Sequence, residues 1–95
     1  MKDFERRYMQ EAIRKAKGAG TPYGAVLIQP ESGDKVVVAN SVAADADPSA
    51  HGEINALREA GRRGVSTKGS ILFSTCEPCP MCAMACVWAG GSKIY

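Results

Sequence analysis

Histidine is almost missing from this chain: His51 is the only one in 95 residues. Any chemistry that needs an imidazole must pass through that position. Aromatic residues are few, at 6%, with one tryptophan. No apolar run approaches the roughly 18 residues of a membrane span, which excludes a helical membrane protein. The N-terminus, MKDFERRYMQ, is charged from its second residue and does not read as a secretory signal, so the expected location is the cytoplasm. The formal net charge of +2 neither demands nor excludes a nucleic-acid partner. A chain of 95 residues leaves room for one domain, 1–95, with a modest core.

What the chain does have is cysteine. There are four, and in a reducing compartment they point to metal binding or catalysis rather than disulfides. Three of them recur every third residue in STCEPCPMCAMA, as Cys76, Cys79 and Cys82.

The local patterns give the order α-β-β-α-β-α-β. Phe4, Tyr8, Met9, Ala12, Ile13 and Ala16 recur at helical spacing and predict a core-facing stripe. Asp3 is placed to cap this helix, and Gly18 and Gly20 to end it. YGAVLIQ and KVVVANS flank the turn chemistry of PESGD, predicting an antiparallel hairpin of residues 24–29 with 35–41. Both runs are nearly continuously apolar, as in a sheet covered on two faces. In DADPSAHGEINALREAGRRG, Asp47 is the expected N-cap and Pro48 the first helical residue. SILFST is a buried strand, Pro80 opens a short helix that ends at Gly90-Gly91, and KIY begins a last strand. The helix-linked alternation of this half favours parallel strands.

With Pro80 at the first helical position, Cys79 becomes the N-cap and Cys82 lies on the first turn, so the two thiols share a face. The helix N-terminus lowers thiol pKa values, and thiolates bind zinc. A thioredoxin-like redox helix begins the same way, so the pair alone leaves metal and redox open. His51 tips the balance. It also lies near a helix start that follows a strand, and the two starts can converge in the crevice where open α/β sheets bind ligands. One histidine and two cysteines leave a fourth metal position open, as in catalytic zinc sites. Glu53 would then accept and return a proton. Residues at i and i+2 point to different sides of a helix, so His51 and Glu53 would divide the work. Gly52, costly inside a helix, suggests close approach to its backbone. Cys76 at a strand end and Cys86 deeper in the last helix read as buried apolar thiols.

HGE followed by PCPMC resembles the His-x-Glu…Pro-Cys-x-x-Cys signature of zinc-dependent nucleobase deaminases. PYGAVLI is similar to the first strand of guanine deaminases and tRNA adenosine deaminases, and DPSAHGEI to their active-site helix entry. STCEPCPMCAMACVWAG looks most like guanine deaminase. The glycine of HGE is more like fungal cytosine deaminases, since many relatives carry alanine there. The resemblance implies a cytidine deaminase-like fold, a three-layer α/β/α sandwich around a mixed sheet. It implies Zn2+ on His51, Cys79 and Cys82, and Glu53 as proton shuttle. It also implies base recognition by Asn40 and by the backbone N–H of Gly52. The implied activity is hydrolytic deamination of an aminated base or nucleoside, of guanine or cytosine type, with tRNA adenosine as the alternative. Relatives usually continue past KIY into a further helix and strand, which leaves substrate choice open here.

Two other classes stay in view: a structural zinc site closed by Cys76, Cys79, Cys82 and His51, and a thiol-redox protein using Cys79 and Cys82. Low charge and few aromatics lean toward a small substrate, with tRNA or single-stranded nucleic acid as the alternative. The apolar surface of MCAMACVWA and the open edge of the last strand lead us to expect a homo-oligomer.

Overall fold

The computed structural model describes residues 2–95. Helix α1 spans Asp3–Gly18 and strands β1 and β2 span Gly24–Ile28 and Lys35–Ala39. A short α2, Val42–Asp45, leads to α3, Gly52–Arg63. Strand β3, Ile71–Ser74, helix α4, Pro80–Trp88, and strand β4, Lys93–Ile94, complete the order. The sheet runs β2-β1-β3-β4. β1 pairs antiparallel with β2 and with β3, and β3 pairs parallel with β4. This is the mixed sheet expected from the sequence.

Alternation along β1 separates the two sides of the sheet, because successive side chains point to opposite faces. Val26 packs with Ala12 of α1 and Phe73 of β3. Ala25 and Leu27 pack with Ala56 and Ala60 of α3 and with Cys86 of α4. Helices therefore cover both faces and the architecture is a three-layer α/β/α sandwich, which is why the residues of β1 read as continuously apolar.

Helix α1 departs from its expected pattern at two points. Its N-cap is Lys2, one residue earlier than Asp3. The Lys2 backbone N–H donates to Glu5 Oε1 at 2.7 Å. The hydroxyl of Tyr95, together with that N–H, holds the Glu5 carboxyl below the usual carboxylate range. The core stripe is also narrower than six residues. Ala12 and Ala16 are buried, whereas Phe4 and Ile13 are 42% and 41% exposed. Tyr8 reaches the sheet, its ring 5.5 Å from that of Phe73, which in turn stacks on Tyr95 at 5.1 Å.

Gly24 sets how closely α1 approaches the sheet. A Cβ on it would stand 2.2 Å from the backbone oxygen of Ala12 and 3.1 Å from the Ala16 methyl. Neither backbone can give way, so only glycine fits. Gly24→Ala is expected to destabilise the domain by about 2–4 kcal/mol, in the upper range of overpacking substitutions. Thermal unfolding checks it, and an unchanged midpoint would remove this contact as a determinant of the packing.

The entry to α3 differs most from expectation. Asp47 and Pro48 stand outside the helix, which starts at Gly52 with His51 as N-cap. Asp47 caps a turn instead: its Oδ1 accepts the Ser49 N–H at 2.9 Å and the Ser49 hydroxyl at 2.7 Å. Those bonds hold the Asp47 carboxyl below its ordinary pKa. Arg58 of α3 adds bonds of 3.1 Å to both Asp47 Oδ2 and Ser49 Oγ. An aspartate that satisfies a local turn competes with the helix for the same backbone donors, and here the turn prevails. The loop before it also contains α2, which has no apolar period to announce it.

Candidate metal centre and pocket

Two helix starts meet at one end of the sheet. Cys79 is the N-cap of α4, with Pro80 behind it at the first helical position, as the sequence indicated. His51 holds the same position on α3, with φ −69° and ψ 157°. His51 Nδ1 faces both thiols, 3.7 Å from Cys79 Sγ and 3.5 Å from Cys82 Sγ. Donor atoms of these three residues lie within 4.8 Å of one another, and no other such group occurs among the described residues. A tetrahedral ion with a nitrogen ligand at 2.0–2.1 Å and a sulfur ligand at 2.3 Å sets those two atoms about 3.6 Å apart. The donor set therefore fits zinc in both chemistry and spacing.

The two thiols differ in electrostatics, where the sequence suggested that both would be acidified. Cys79 is lowered, chiefly by the backbone N–H of Cys82 donating to its sulfur, with help from Met81 N–H. Cys82 is fully buried, and burial pushes it up to about 12, with further contributions from Cys79 and Glu53. A metal arriving here must displace a proton from Cys82, and its own charge would hold the thiolate. Cys86 is buried as expected, and burial raises its thiol as well. Cys76 is not: it is exposed, because β3 has already ended at Ser74 and the chain turns outward. It also lies outside the His51 donor group, which leaves the closed four-ligand site without support.

A pocket of about 320 Å³ opens beside the donors, lined by Tyr23, Asn40, His51, Gly52, Glu53, Ser74, Cys76, Glu77 and Cys79. All the expected site residues except Cys82 thus line one cavity, and Cys82 joins it through His51. The displaced helix start removes an apparent conflict. His51 lies outside the helix with extended backbone, so the i, i+2 rule does not separate it from Glu53. Glu53, 7% exposed, sits at the second helical position, where the N-terminal dipole favours a carboxylate. Gly52 is the first residue of α3, so its N–H has no acceptor within the helix. A Cβ there would meet Ala25 Cβ at 3.5 Å, ordinary contact, so the fold does not require glycine.

Asn40 follows β2. Its N–H donates to Tyr23 O at 2.9 Å and its Oδ1 accepts the Val42 N–H at 3.1 Å. That bond fixes which end of the carboxamide is oxygen and leaves the NH2 group as its donor face. Sequence reasoning missed Tyr23, Ser74 and Glu77 as pocket residues. For Tyr23 a signal existed: the hairpin register Gly24↔Ala39 places Tyr23 opposite Asn40. Thr75 secures this corner, accepting Gly24 N–H at 3.0 Å and donating to Pro22 O at 2.8 Å.

A mixed sheet with a His-Cys-Cys donor set at two helix starts, beside a pocket holding a carboxylate, defines an α/β domain with a group that could hold a metal. Comparison with known proteins makes the class specific. Residues 2–95 match the family model of the cytidine and deoxycytidylate deaminase zinc-binding region, and the chain belongs to that family. It is 36% identical over 83 residues to the guanine deaminase of Bacillus subtilis, covering 82% of this chain and 51% of that protein. It is 38% identical over 95 residues to a tRNA-specific adenosine deaminase of Aquifex aeolicus, covering 92% of this chain and 61% of that one. A solved structure from work on A-to-I editing by tRNA:A34 deaminases superposes with a TM-score of 0.82 at 32% identity, covering 95% of this chain and 73% of that one. The chain thus spans about half to three-fifths of the length of these two curated relatives. Its fold is that of the cytidine deaminase-like proteins, and the zinc expected from the sequence is the metal of the family's matched region.

Proposed function

We propose that residues 1–95 form one zinc-dependent deaminase domain that hydrolyses the exocyclic amino group of a nucleobase or nucleoside and releases ammonia. The observation that carries this is the approach of His51, Cys79 and Cys82 to within 4.8 Å at the wall of the pocket that also holds Glu53 and Asn40. His51, Cys79 and Cys82 would hold zinc, which when bound supplies Lewis-acid activation of the attacking water. Glu53 takes a proton from that water and delivers it to the departing nitrogen. The carbon gains a C–O bond, loses its C–N bond, and ammonia leaves with the transferred proton. Asn40 orients the base through its NH2 group, and the Gly52 N–H, at the positive end of α3, donates to a carbonyl oxygen of the ring.

Guanine or cytosine is the proposed substrate type. The similarity to guanine deaminase and the low charge support it. Adenosine in tRNA is the second reading, supported by the similarity to tRNA adenosine deaminases. Ammonia release from guanine, cytosine, adenosine and tRNA by the zinc-loaded chain tests both. No release from any of them, with zinc bound at one per chain, would overturn the enzyme reading.

We further infer that the domain works as a homo-oligomer. Met81, Met84, Val87 and Trp88 of α4 are 40%, 55%, 65% and 88% exposed, a row of large apolar side chains that suits burial against a second copy. Light scattering at micromolar concentration is expected to give a dimer mass or more, and a monomer mass would refute this. Four free cysteines suit the reducing cytoplasm as the place of action. Among the described residues no helix is long and apolar enough to cross a membrane.

A further inference from the structure

Asn55 lies one turn into α3, and its backbone N–H donates to His51 O at 2.9 Å. Its side chain reaches away from the helix. Nδ2 donates to Ala39 O at 2.8 Å and to Ser41 Oγ at 2.9 Å, with Ala50 O at 3.4 Å as a longer third contact. The two short bonds use both hydrogens of the carboxamide. Their acceptors bracket Asn40 on either side, and Ala50 is the residue before His51. The Ser41 N–H also donates to Ala50 O at 2.9 Å, closing the neck of the 41–50 excursion. One side chain therefore joins the strand end before Asn40, the residue after it, and the approach to His51.

Asn40 depends on that neck, because its Oδ1 is bonded to Val42 N–H, one residue beyond Ser41. Asn40 follows the end of β2, whereas His51 and Glu53 stand at the start of α3, and Asn55 spans the gap between them. We propose that Asn55 is a positioning residue that fixes Asn40 relative to His51 and Glu53, and so sets the pose of the base over the reacting groups. This rests on the reading of Asn40 given above. Small displacements of a positioned group cost catalysis heavily, which is why a fixed neck matters.

A purely structural alternative is that Asn55 only covers the outer edge of β2. The structure contains a control for it. Arg63 Nη1 donates to Lys35 O at 3.2 Å, at the other end of β2 and away from the pocket. Asn55→Leu keeps the volume and removes both donors, and Arg63→Gln loosens the edge without touching Asn40. In the zinc-loaded Asn55→Leu chain, zinc is expected to stay at one per chain. The side-chain amide NMR signals of Asn40 are expected to shift, while Arg63→Gln leaves them in place. With the best of guanine, cytosine and adenosine as substrate, kcat/KM is expected to fall about ten-fold, mostly through KM, and by less than about three-fold in an Asn40→Ala background, the coupling typical of one hydrogen-bond network. Asn55→Ser, which keeps one donor, should fall between, and replaces Asn55→Leu in every measurement if that variant does not fold. Unmoved Asn40 signals, losses that add in full, or loss of zinc would overturn the proposal. A chain inactive on every base overturns the deaminase reading instead, and the Asn40 signals still decide the role of Asn55.

Discussion

Glu53→Gln is expected to retain one zinc per chain and to lose about 10²–10⁴-fold in kcat, the contribution of a positioned general acid–base. The substitution keeps the size and shape of the side chain and removes only its ability to carry a proton. Glu53 is 7% exposed at the second position of α3 and lines the pocket with His51 and Cys79. It does not belong to the donor group, so its loss should leave the metal in place. Zinc content and kcat, measured on the same preparation, separate the two roles. If the variant loses its zinc, Glu53 is a ligand and the proposed division of work fails. If turnover survives with zinc in place, another group moves the proton.

The second large effect concerns the cysteines. Cys79→Ser should lose zinc, whereas Cys76→Ser should keep it, although the two residues stand three apart in sequence. Cys79 Sγ and Cys82 Sγ both face His51 Nδ1, and Cys76 is exposed outside that group. Removing one of three ligands should cost more than the roughly 10–100-fold in affinity that follows loss of an outer-shell partner. Because the bound metal adds its binding free energy to the folded state, a chelator should lower the melting temperature of the wild type and of Cys76→Ser. It should leave Cys79→Ser unchanged. Metal analysis giving the opposite pattern would remove Cys79 from the site, and loss of zinc in both variants would place Cys76 in it and revive the closed structural zinc.

The strongest cap signal in the sequence, Asp47-Pro48, marked the wrong helix start. Nothing local distinguishes an aspartate that caps a helix from one that caps a turn. The choice fell to Ser49, which satisfies Asp47, and to Arg58, which reaches back from α3 to hold the turn. The four-residue shift then decided the orientation of His51 relative to Glu53. Cys79-Pro80 could be read correctly because both its signals are local. Proline suits the first helical position, and the residue before it is thereby the cap. Cys76 was misread because burial depends on where β3 ends, which is set by pairing with β1 and β4. Part of the α1 stripe stayed exposed for a similar reason: Phe4 and Ile13 follow the period but lie beyond what the sheet covers.

The sequence by itself determined the kinds of atom available: one imidazole, two thiols locked at a helix start, a carboxylate two residues from the histidine, and apolar runs of the right length for a covered sheet. Those follow from residue type and short-range spacing. Only the tertiary structure decided that His51 meets Cys79 across 28 residues, at 3.7 Å, because the strand order β2-β1-β3 carries α3 and α4 to the same end of the sheet. It alone decided that Cys82 is buried and Cys79 is not, which sends their thiols in opposite directions. It also set the neck at Asn55, which joins two backbone carbonyls and the Ser41 hydroxyl, up to 16 residues away. Long-range pairing and burial are properties of the whole packed chain, and no window of sequence contains them.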